Sequence, residues 1–147
     1  MEFRFARETQ VPAHEAFAWM TDYTEDDHRG HRWRGRASRK VLSRTEKLVE
    51  LEDVWRGRTL RMTVNLDPPK AWHARGHTRG AHWDTMFLIQ ALPTGGCRIN
   101  ERSVVEGEGI GKYLLPLLRG PLLRTFQEDL ALHVADMEEQ LGYAREA

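Results

Sequence analysis

Apolar and polar residues alternate along most of the first two thirds of the chain. The first alternating stretch, residues 2–9, places Phe3 and Phe5 on one face, which is the period of a strand. Six more candidate strands follow residue 35, separated by turn-like clusters rich in Pro and Gly. Because no helix lies between them, we expect strands that are consecutive in sequence to pair antiparallel. The six stretches are residues 37–44, 47–56, 58–67, 71–80, 82–92 and 97–106.

The period changes in the last third of the chain, where apolar residues recur every three or four positions, as on one face of a helix. Pro116 and Pro121 cannot lie inside a regular helix without breaking a hydrogen bond. We therefore expect the regular helix to begin near Pro121, with Ile110–Gly120 as a kinked or separate helical turn. Gly142 is well placed to end this helix. Its apolar face consists of Leu123, Phe126, Leu130, Val134, Met137 and Leu141.

Two short helices are predicted between the first strand and the other six. Pro12 can open the first one, and the polar, acidic stretch Thr21–Gly30 is either a loop or the second. A single late helix with one apolar face needs a concave surface to lie on, and the strands can supply it. The predicted fold class is therefore α+β, with a seven-stranded antiparallel sheet curved around a long C-terminal helix. One domain is expected to span residues 1–147.

Composition narrows the function classes. Apolar residues make up 40% of the chain and charged residues 30%, as in a soluble globular protein. The 22 basic residues balance the 22 acidic ones, which argues against nucleic acid as the main partner. Cys97 is the only cysteine, so the chain lacks the partners for an intrachain disulfide or a Cys-based zinc site. The charged start is unlike a signal peptide, and the longest apolar run, Tyr113–Leu123, is too short to span a bilayer. We expect a cytoplasmic protein without a transmembrane segment.

Alternation also assigns the face of each strand that should point toward the late helix. A shift of one residue in register would invert a whole set. The predicted inner residues are Leu60, Met62, Val64 and Leu66 on one strand, Trp72, Ala74, Gly76 and Thr78 on the next, and Trp83, Thr85, Phe87 and Ile89 on the third.

The same rule places three charged residues, Arg7, Asp53 and Glu101, on the inner face, with Glu101 beside the small Ser103. A buried charge is costly unless it is paired or hydrogen-bonded. Two interpretations stay open. The three groups lie at strand ends or rims exposed to water, or they orient the polar head of a ligand or perform acid/base chemistry.

The seven histidines do not predict a metal site. His73 and His77 lie about 13 Å apart along one strand at about 3.3 Å per residue, so they cannot share an ion. His28 and His31 could chelate a metal together with Asp26 and Asp27, although a solvated loop is the simpler interpretation. We interpret His133 as a boundary residue of the late helix, with ligand contact as the alternative. No metal and no cofactor are therefore predicted.

A basic run between residues 29 and 44 has two interpretations. It could form a nucleic-acid patch, or it could be a solvated strand face opposite the acidic residues Glu46, Glu50 and Glu52 of the next strand. We prefer the second, and we find no nucleophile elbow, phosphate loop or dinucleotide motif. The run consists of Arg29, Arg32, Arg34, Arg36, Arg39, Lys40 and Arg44.

The order of elements resembles the helix-grip fold of the START-like (SRPBCC) superfamily, which includes the Bet v 1 allergens and polyketide cyclases. Three stretches carry the resemblance: "FARETQVPAHEAFAWMTDY" as first strand and helix, "LPTGGCRINERSVVEG" as the turn into the last strand, and "LLRGPLLRTFQEDLALHVADMEEQL" as the closing helix. The resemblance implies that the first and last strands are neighbours, so that Arg7 and Glu101 could pair. It also implies a cavity between sheet and helix for sterols, lipids, quinones or polyketides.

Three functions follow from this resemblance. The first is binding or transport of a hydrophobic small molecule or lipid, with Ile110–Pro121 and Thr21–Gly30 as gates. The second is a cyclase or aromatase that uses Arg7, Asp53 or Glu101 as acid, base or oxyanion partner. The third is a cochaperone-like or toxin-like interaction module, and a homodimer stays open as a partner. The expected ligand-binding residues are Trp55, Met62, Val64, Trp72, Trp83, Phe87, Leu114, Leu118, Leu122 and Phe126.

Overall fold

The computed structural model describes residues 1–26, 37–55, 57–78 and 80–143. The chain forms strand β1, helix α1, six more strands, a short helix α2, a 3₁₀ turn and the long helix α3. The predicted α+β fold class is confirmed, and every predicted strand agrees with the structure to within two residues at each end. The elements are β1 Glu2–Thr9, α1 Ala13–Met20, β2 Ala37–Arg44, β3 Leu48–Trp55, β4 Arg58–Asp67, β5 Ala71–Thr78, β6 Ala81–Ala91, β7 Cys97–Gly107, α2 Gly111–Leu114, the 3₁₀ turn Leu115–Leu118 and α3 Arg119–Gln140.

The seven strands form one antiparallel sheet in the order β1-β7-β6-β5-β4-β3-β2. Strands β2 to β7 each pair with their neighbours in sequence, because the short turns between them leave no room for a crossover. β1 pairs with β7, so the first and last strands are adjacent, as the resemblance implied. A bulge between Val41 and Ser43 shifts the register at the β2 edge.

The core lies between the inner face of the sheet, helix α1 and the C-terminal half of α3. The inner faces predicted for β4, β5 and β6 are confirmed by their burial and cross-strand register, apart from Thr78, whose side chain lies outside the described part. Trp72 is stacked on Phe87 at 4.6 Å and meets the ring of Phe17 edge-on at 5.9 Å. The buried apolar residues of the sheet and the two helices include Val49, Leu51, Val64, Trp72, Ile89, Ile99, Ala16, Phe17, Leu130, Val134 and Met137.

Helix α3 begins at Arg119, two residues before the predicted start at Pro121. Pro121 is the third residue of the helix, where an N–H would have no intrahelical acceptor, so the missing donor costs nothing. The helix ends as predicted at Gly142, whose φ is 76°. There Tyr143 N–H donates to the Glu138 carbonyl at 2.7 Å and Gly142 N–H donates to the Glu139 carbonyl at 3.3 Å, which is a Schellman motif.

Helix α1 is the first of the two predicted short helices. Of the stretch predicted as a loop or second helix, residues 21–26 are not helical, and residues 27–30 lie outside the described part. Asp27, His28 and His31, weighed above as metal ligands, also lie outside it, as do the four arginines between residues 29 and 36. Among the helices that the structure describes, none is long and apolar enough to cross a membrane.

Candidate functional site

The sheet-facing side chains of helix α3 become more exposed to solvent toward the N-terminal end of the helix. Leu123 and Leu130 are seven residues apart, which is two helical turns, so their side chains share one face. Leu130 is 2% exposed, whereas Leu123 is 41% exposed. The ring of Phe126 still contacts Phe3 of β1, with 5.6 Å between ring centroids. The sheet-facing side of α3 is therefore uncovered from about Leu123 toward Arg119.

The part of the sheet beside this uncovered helix will be called the open end. It comprises the inner face around Phe3, Ser103 and Trp83, with α3 residues 119–126 next to it. Phe3 contacts the beginning of the helix, because the Arg119 guanidinium carbon lies 5.9 Å from its ring centroid. Ser103 is the cross-strand partner of Phe3, which places it directly beside this contact.

A chain of three buried polar side chains crosses the inner face at the open end. Ser103 Oγ donates a hydrogen bond to Glu101 Oε1 at 2.7 Å, and Thr85 Oγ1 lies 2.9 Å from Ser103 Oγ. A carboxylate only accepts, and a serine hydroxyl has one proton, so Thr85 must donate to Ser103. All three residues are buried. The bonds therefore run in one direction, from Thr85 through Ser103 to Glu101.

Cross-strand register explains why these groups meet. Thr85, Ser103 and Phe3 form one row across β6, β7 and β1, and Phe87, Glu101 and Phe5 form the next. The carboxylate of Glu101 thus lies between two phenylalanine positions. Sequence alternation placed Glu101 and Ser103 together on one strand, whereas Thr85 could be added only once the β6–β7 register was known.

Trp83 forms one wall of the open end. Its indole occupies the space above Gly76, since a Cβ built on Gly76 would lie 1.8 Å from Trp83 Cζ2. Gly76 is also the cross-strand partner of Met62 on β4. Trp83 and Met62 are both half-buried, so apolar surface from each stays accessible.

Asp53, the second inward acidic residue, belongs to a buried ion pair. Arg39 Nε donates to Asp53 Oδ1 at 2.8 Å and Arg39 Nη2 donates to Oδ2 at 2.9 Å, with side-chain exposures of 10% and 5%. The assignment of Arg39 to a solvated face is therefore wrong, because the β2–β3 register places it on the inner face opposite Asp53. Its guanidinium also lies 5.5 Å from the Tyr23 ring centroid. Lys40 faces outward opposite Glu52, as predicted for the whole run.

Arg44, the last residue of the basic run, is exposed as predicted, although it faces Val49 rather than an acidic residue. It donates hydrogen bonds to the carbonyls of Thr21, Asp22 and Tyr23, with 3.1 Å to the first of these. Thr21 is the C-cap of α1, so Arg44 donates to carbonyl groups at and just after the end of that helix.

Arg7 lies away from the open end. Its backbone faces Ile99, whereas Glu101 faces Phe5 one row further along, and the Arg7 side chain is exposed. It lines a small recess of about 320 Å³ between β1 and α3, together with Gln127 and Leu130.

The residues expected to bind ligand divide into four groups. Met62, Trp83, Leu122 and Phe126 are half-buried, the last two on the α3 segment beside the open end, whereas Leu114 and Leu118 are exposed on the segment leading into α3. Val64 and Trp72 lie in the core, and Phe87 stacks on Trp72. The side chain of Trp55 lies outside the described part.

Two other residues weighed above have ordinary structural surroundings. His133 is half-buried and meets the ring of Trp19 edge-on at 6.5 Å, which fits a boundary residue. Cys97 is fully buried, and burial raises the pKa of its thiol to about 11, so it is not a reactive thiolate.

The outer face of the sheet carries a groove of about 710 Å³ lined by charges of both signs. Arg75 and His73 both bond to Asp84, at 3.2 Å and 2.6 Å. His77 and His82 are cross-strand neighbours with ring centroids 6.3 Å apart, a proximity that spacing along one strand could not reveal. Within the described ranges, no group of three or more potential metal ligands is present. We interpret this face as solvated cross-strand pairs.

Glu2 belongs to the same network of surface pairs, at the β1 edge. Hydrogen bonds from Arg102 and Arg4 lower the pKa of its carboxyl group to about 2.

No protein-family model and no functionally curated protein matches this chain. Solved structures do match. An aromatase/cyclase, Zhui, from a Streptomyces species has a TM-score of 0.69 at 11% identity, covering 96% of this chain and 95% of its own. Truncated norcoclaurine synthase from Thalictrum flavum has a TM-score of 0.68 at 12% identity, covering 99% and 95%. A START superfamily protein from Mycobacterium smegmatis has a TM-score of 0.55 at 13% identity, covering 87% and 95%. These likenesses extend over nearly the whole chain, and at such identities they concern the fold. The chain therefore has the helix-grip fold of START-like and Bet v 1-like proteins.

Proposed function

We propose that this protein binds an apolar small molecule or lipid carrying one polar group at the open end of the sheet. The observation that carries the proposal is the Thr85–Ser103–Glu101 chain, which lies beside the part of α3 whose sheet-facing side is uncovered. Ligand sites are typically apolar walls with a few convergent polar groups. The open end has this composition, with Met62 and Trp83 on the wall.

The apolar wall would supply most of the binding free energy. Removing roughly 250 Å² of ligand surface from water at about 25 cal/mol per Å² contributes about 6 kcal/mol before the costs of association. Leu123 would gain cover on binding, since it is 41% exposed without ligand.

The polar chain restricts the kind of ligand. Thr85 directs its proton to Ser103, so it offers lone pairs rather than a donor to a ligand. The preferred ligand therefore carries a hydroxyl or another hydrogen-bond donor.

Substitution of Glu101 tests this role. Glu101→Gln should weaken binding of a hydroxyl-bearing apolar probe such as a sterol or a long-chain alcohol, measured by the change in tryptophan fluorescence on titration. The control is Asp84→Asn, a carboxylate of the outer face that binds His73 and Arg75. If Glu101→Gln leaves both stability and probe affinity unchanged, the polar chain has no part in binding.

A cyclase or aromatase-type enzyme is the second candidate, favoured by the position of Glu101. A buried carboxylate beside an apolar wall can act as a general base toward a bound carbonyl compound. One solved structure with this fold is an aromatase/cyclase. Turnover of a polyketide-like substrate that is lost in Glu101→Gln, with binding retained, would favour the enzyme over the carrier.

Two further parts of the proposal rest on the sequence. We place the protein in the cytoplasm, since its only cysteine is a buried thiol. An interaction module is the third candidate, which a filled interior and a large exposed apolar patch would favour.

A further inference from the structure

The segment that leads into α3 exposes an apolar face to solvent. Ile110, Tyr113, Leu114 and Leu117 follow the i, i+3, i+4, i+7 spacing of one helix face. Ile110, Tyr113 and Leu117 are 76%, 79% and 78% exposed. In most helices of globular proteins such an apolar face packs against the core, whereas here it points to solvent. Single exposed leucines are common on protein surfaces, whereas a contiguous apolar face indicates a partner.

The charge of the same segment indicates what kind of partner it has. Between residues 109 and 127 there are three basic residues, Lys112, Arg119 and Arg124, and no acidic residue. All three side chains are exposed. The whole chain is neutral, so this segment stands out from a remainder of net charge −3. We will call residues 109–127 the apolar-basic segment.

We propose that the apolar-basic segment docks on an anionic lipid membrane surface. A helix face of this kind inserts its apolar side chains into the boundary between head groups and acyl chains, while basic side chains pair with anionic head groups. Tyr113, at the most exposed position, has the amphipathic ring that is enriched at membrane interfaces.

A second copy of the chain fits this surface less well. In a two-fold dimer the same patch lies on both subunits. The three basic residues of one copy would then face those of the other, without a carboxylate in either segment. An anionic membrane can bury the apolar side chains and pair with the basic side chains at the same time.

Contacts at the N-terminal end of the apolar-basic segment hold it against the sheet. Glu108 N–H donates to the Gly80 carbonyl at 2.9 Å, and the Glu108 carboxylate lies 2.5 Å from His82 Nε2. A Cβ on Gly111 would lie 2.4 Å from the Gly80 oxygen, so α2 is held close against the β5–β6 turn. The apolar face is therefore displayed from a fixed base. Residues 119–126 belong both to this segment and to the open end, whereas Ile110, Tyr113 and Leu117 belong to the segment alone.

Vesicle co-sedimentation tests the proposal. Wild-type protein should co-sediment with vesicles of phosphatidylcholine mixed with phosphatidylglycerol. It should not co-sediment with vesicles made only of phosphatidylcholine. Binding should weaken when salt rises from about 0.05 M to about 0.5 M. Tyr113→Ser/Leu117→Ser should reduce partitioning at least about tenfold. Lys112→Gln/Arg124→Gln should reduce it about 25-fold, at about fivefold per basic residue.

Leu132→Ser provides the matched control, because Leu132 is 44% exposed on α3 outside the segment. It should bind vesicles as the wild type does. The proposal is overturned if neither vesicle binds, or if the Tyr113/Leu117 variant binds as well as the wild type. It is also overturned if ultracentrifugation shows a wild-type dimer that this variant converts to monomers, which would assign the patch to a second copy.

Discussion

Ser103→Ala tests whether the Thr85–Ser103–Glu101 chain at the open end is shielded from water. The substitution removes the hydroxyl that donates to Glu101 at 2.7 Å and accepts from Thr85 at 2.9 Å. A hydrogen bond to a charged group contributes about 1.5–3 kcal/mol, and a hydroxyl left without its acceptor adds about 1 kcal/mol. We expect the free energy of unfolding to fall by about 2.5–4 kcal/mol. For a chain of 147 residues this corresponds to roughly 5–15 °C in Tm.

The measurement is urea unfolding followed by tryptophan fluorescence, with Ser43→Ala as the matched control. Ser43 Oγ donates to Glu50 Oε2 at 2.6 Å, which is the same pair of groups on the exposed face. Its loss should cost less than about 0.5 kcal/mol, because water replaces the hydroxyl. An equally small cost for Ser103→Ala would refute the reasoning, since it would mean that water already reaches Glu101.

Three further substitutions test other parts of the structure. Arg39→Ala leaves Asp53 buried without its bidentate partner and should cost about 3–5 kcal/mol in urea unfolding. Gly76→Ala should displace Trp83 from the inner face, because the new Cβ would lie 1.8 Å from its ring, and should change the tryptophan emission maximum. The pKa of Glu2, lowered to about 2 in the folded state, means that its contribution to stability is present above about pH 4.5 and lost as the pH falls toward 2. Glu2→Gln should flatten that part of a stability–pH curve.

Each of these substitutions has a control. Lys40→Ala, one residue from Arg39 on the outward side of β2, should cost less than about 0.5 kcal/mol. Gly120→Ala has open space around its Cβ and should leave the emission maximum unchanged. Glu106→Gln, on the outer face, should keep the acid slope of the stability curve. If a control variant changes the measured stability or emission as much as its test variant does, the explanation given for the test variant is wrong.

The fold could be predicted because alternation and turn residues are local signals. Seven strands, the inner faces of β4, β5 and β6, and the end of α3 follow from period, proline and glycine alone. The start of α3 was misplaced by two residues, because the pattern cannot show that Pro121 falls within the first turn, where its missing N–H is harmless.

The candidate site was only partly predictable, because it depends on pairing between strands. Arg39 lies in a run of basic residues without apolar alternation, and only its register with Asp53 shows that it faces inward. Thr85 joins Glu101 through a hairpin register that the sequence leaves open. Leu114 and Leu118 carry the right spacing for a lining, yet spacing does not say toward which side a helix turns its apolar face. The structure turns this one outward.

Native mass spectrometry of the protein purified from its own host tests the central claim most directly. The account predicts a reproducible non-covalent mass on the wild-type protein, absent under denaturing conditions and reduced in Glu101→Gln relative to Asp84→Asn. A wild-type protein that carries no added mass in repeated preparations, and gains none when hydroxyl-bearing apolar compounds are supplied, would contradict it.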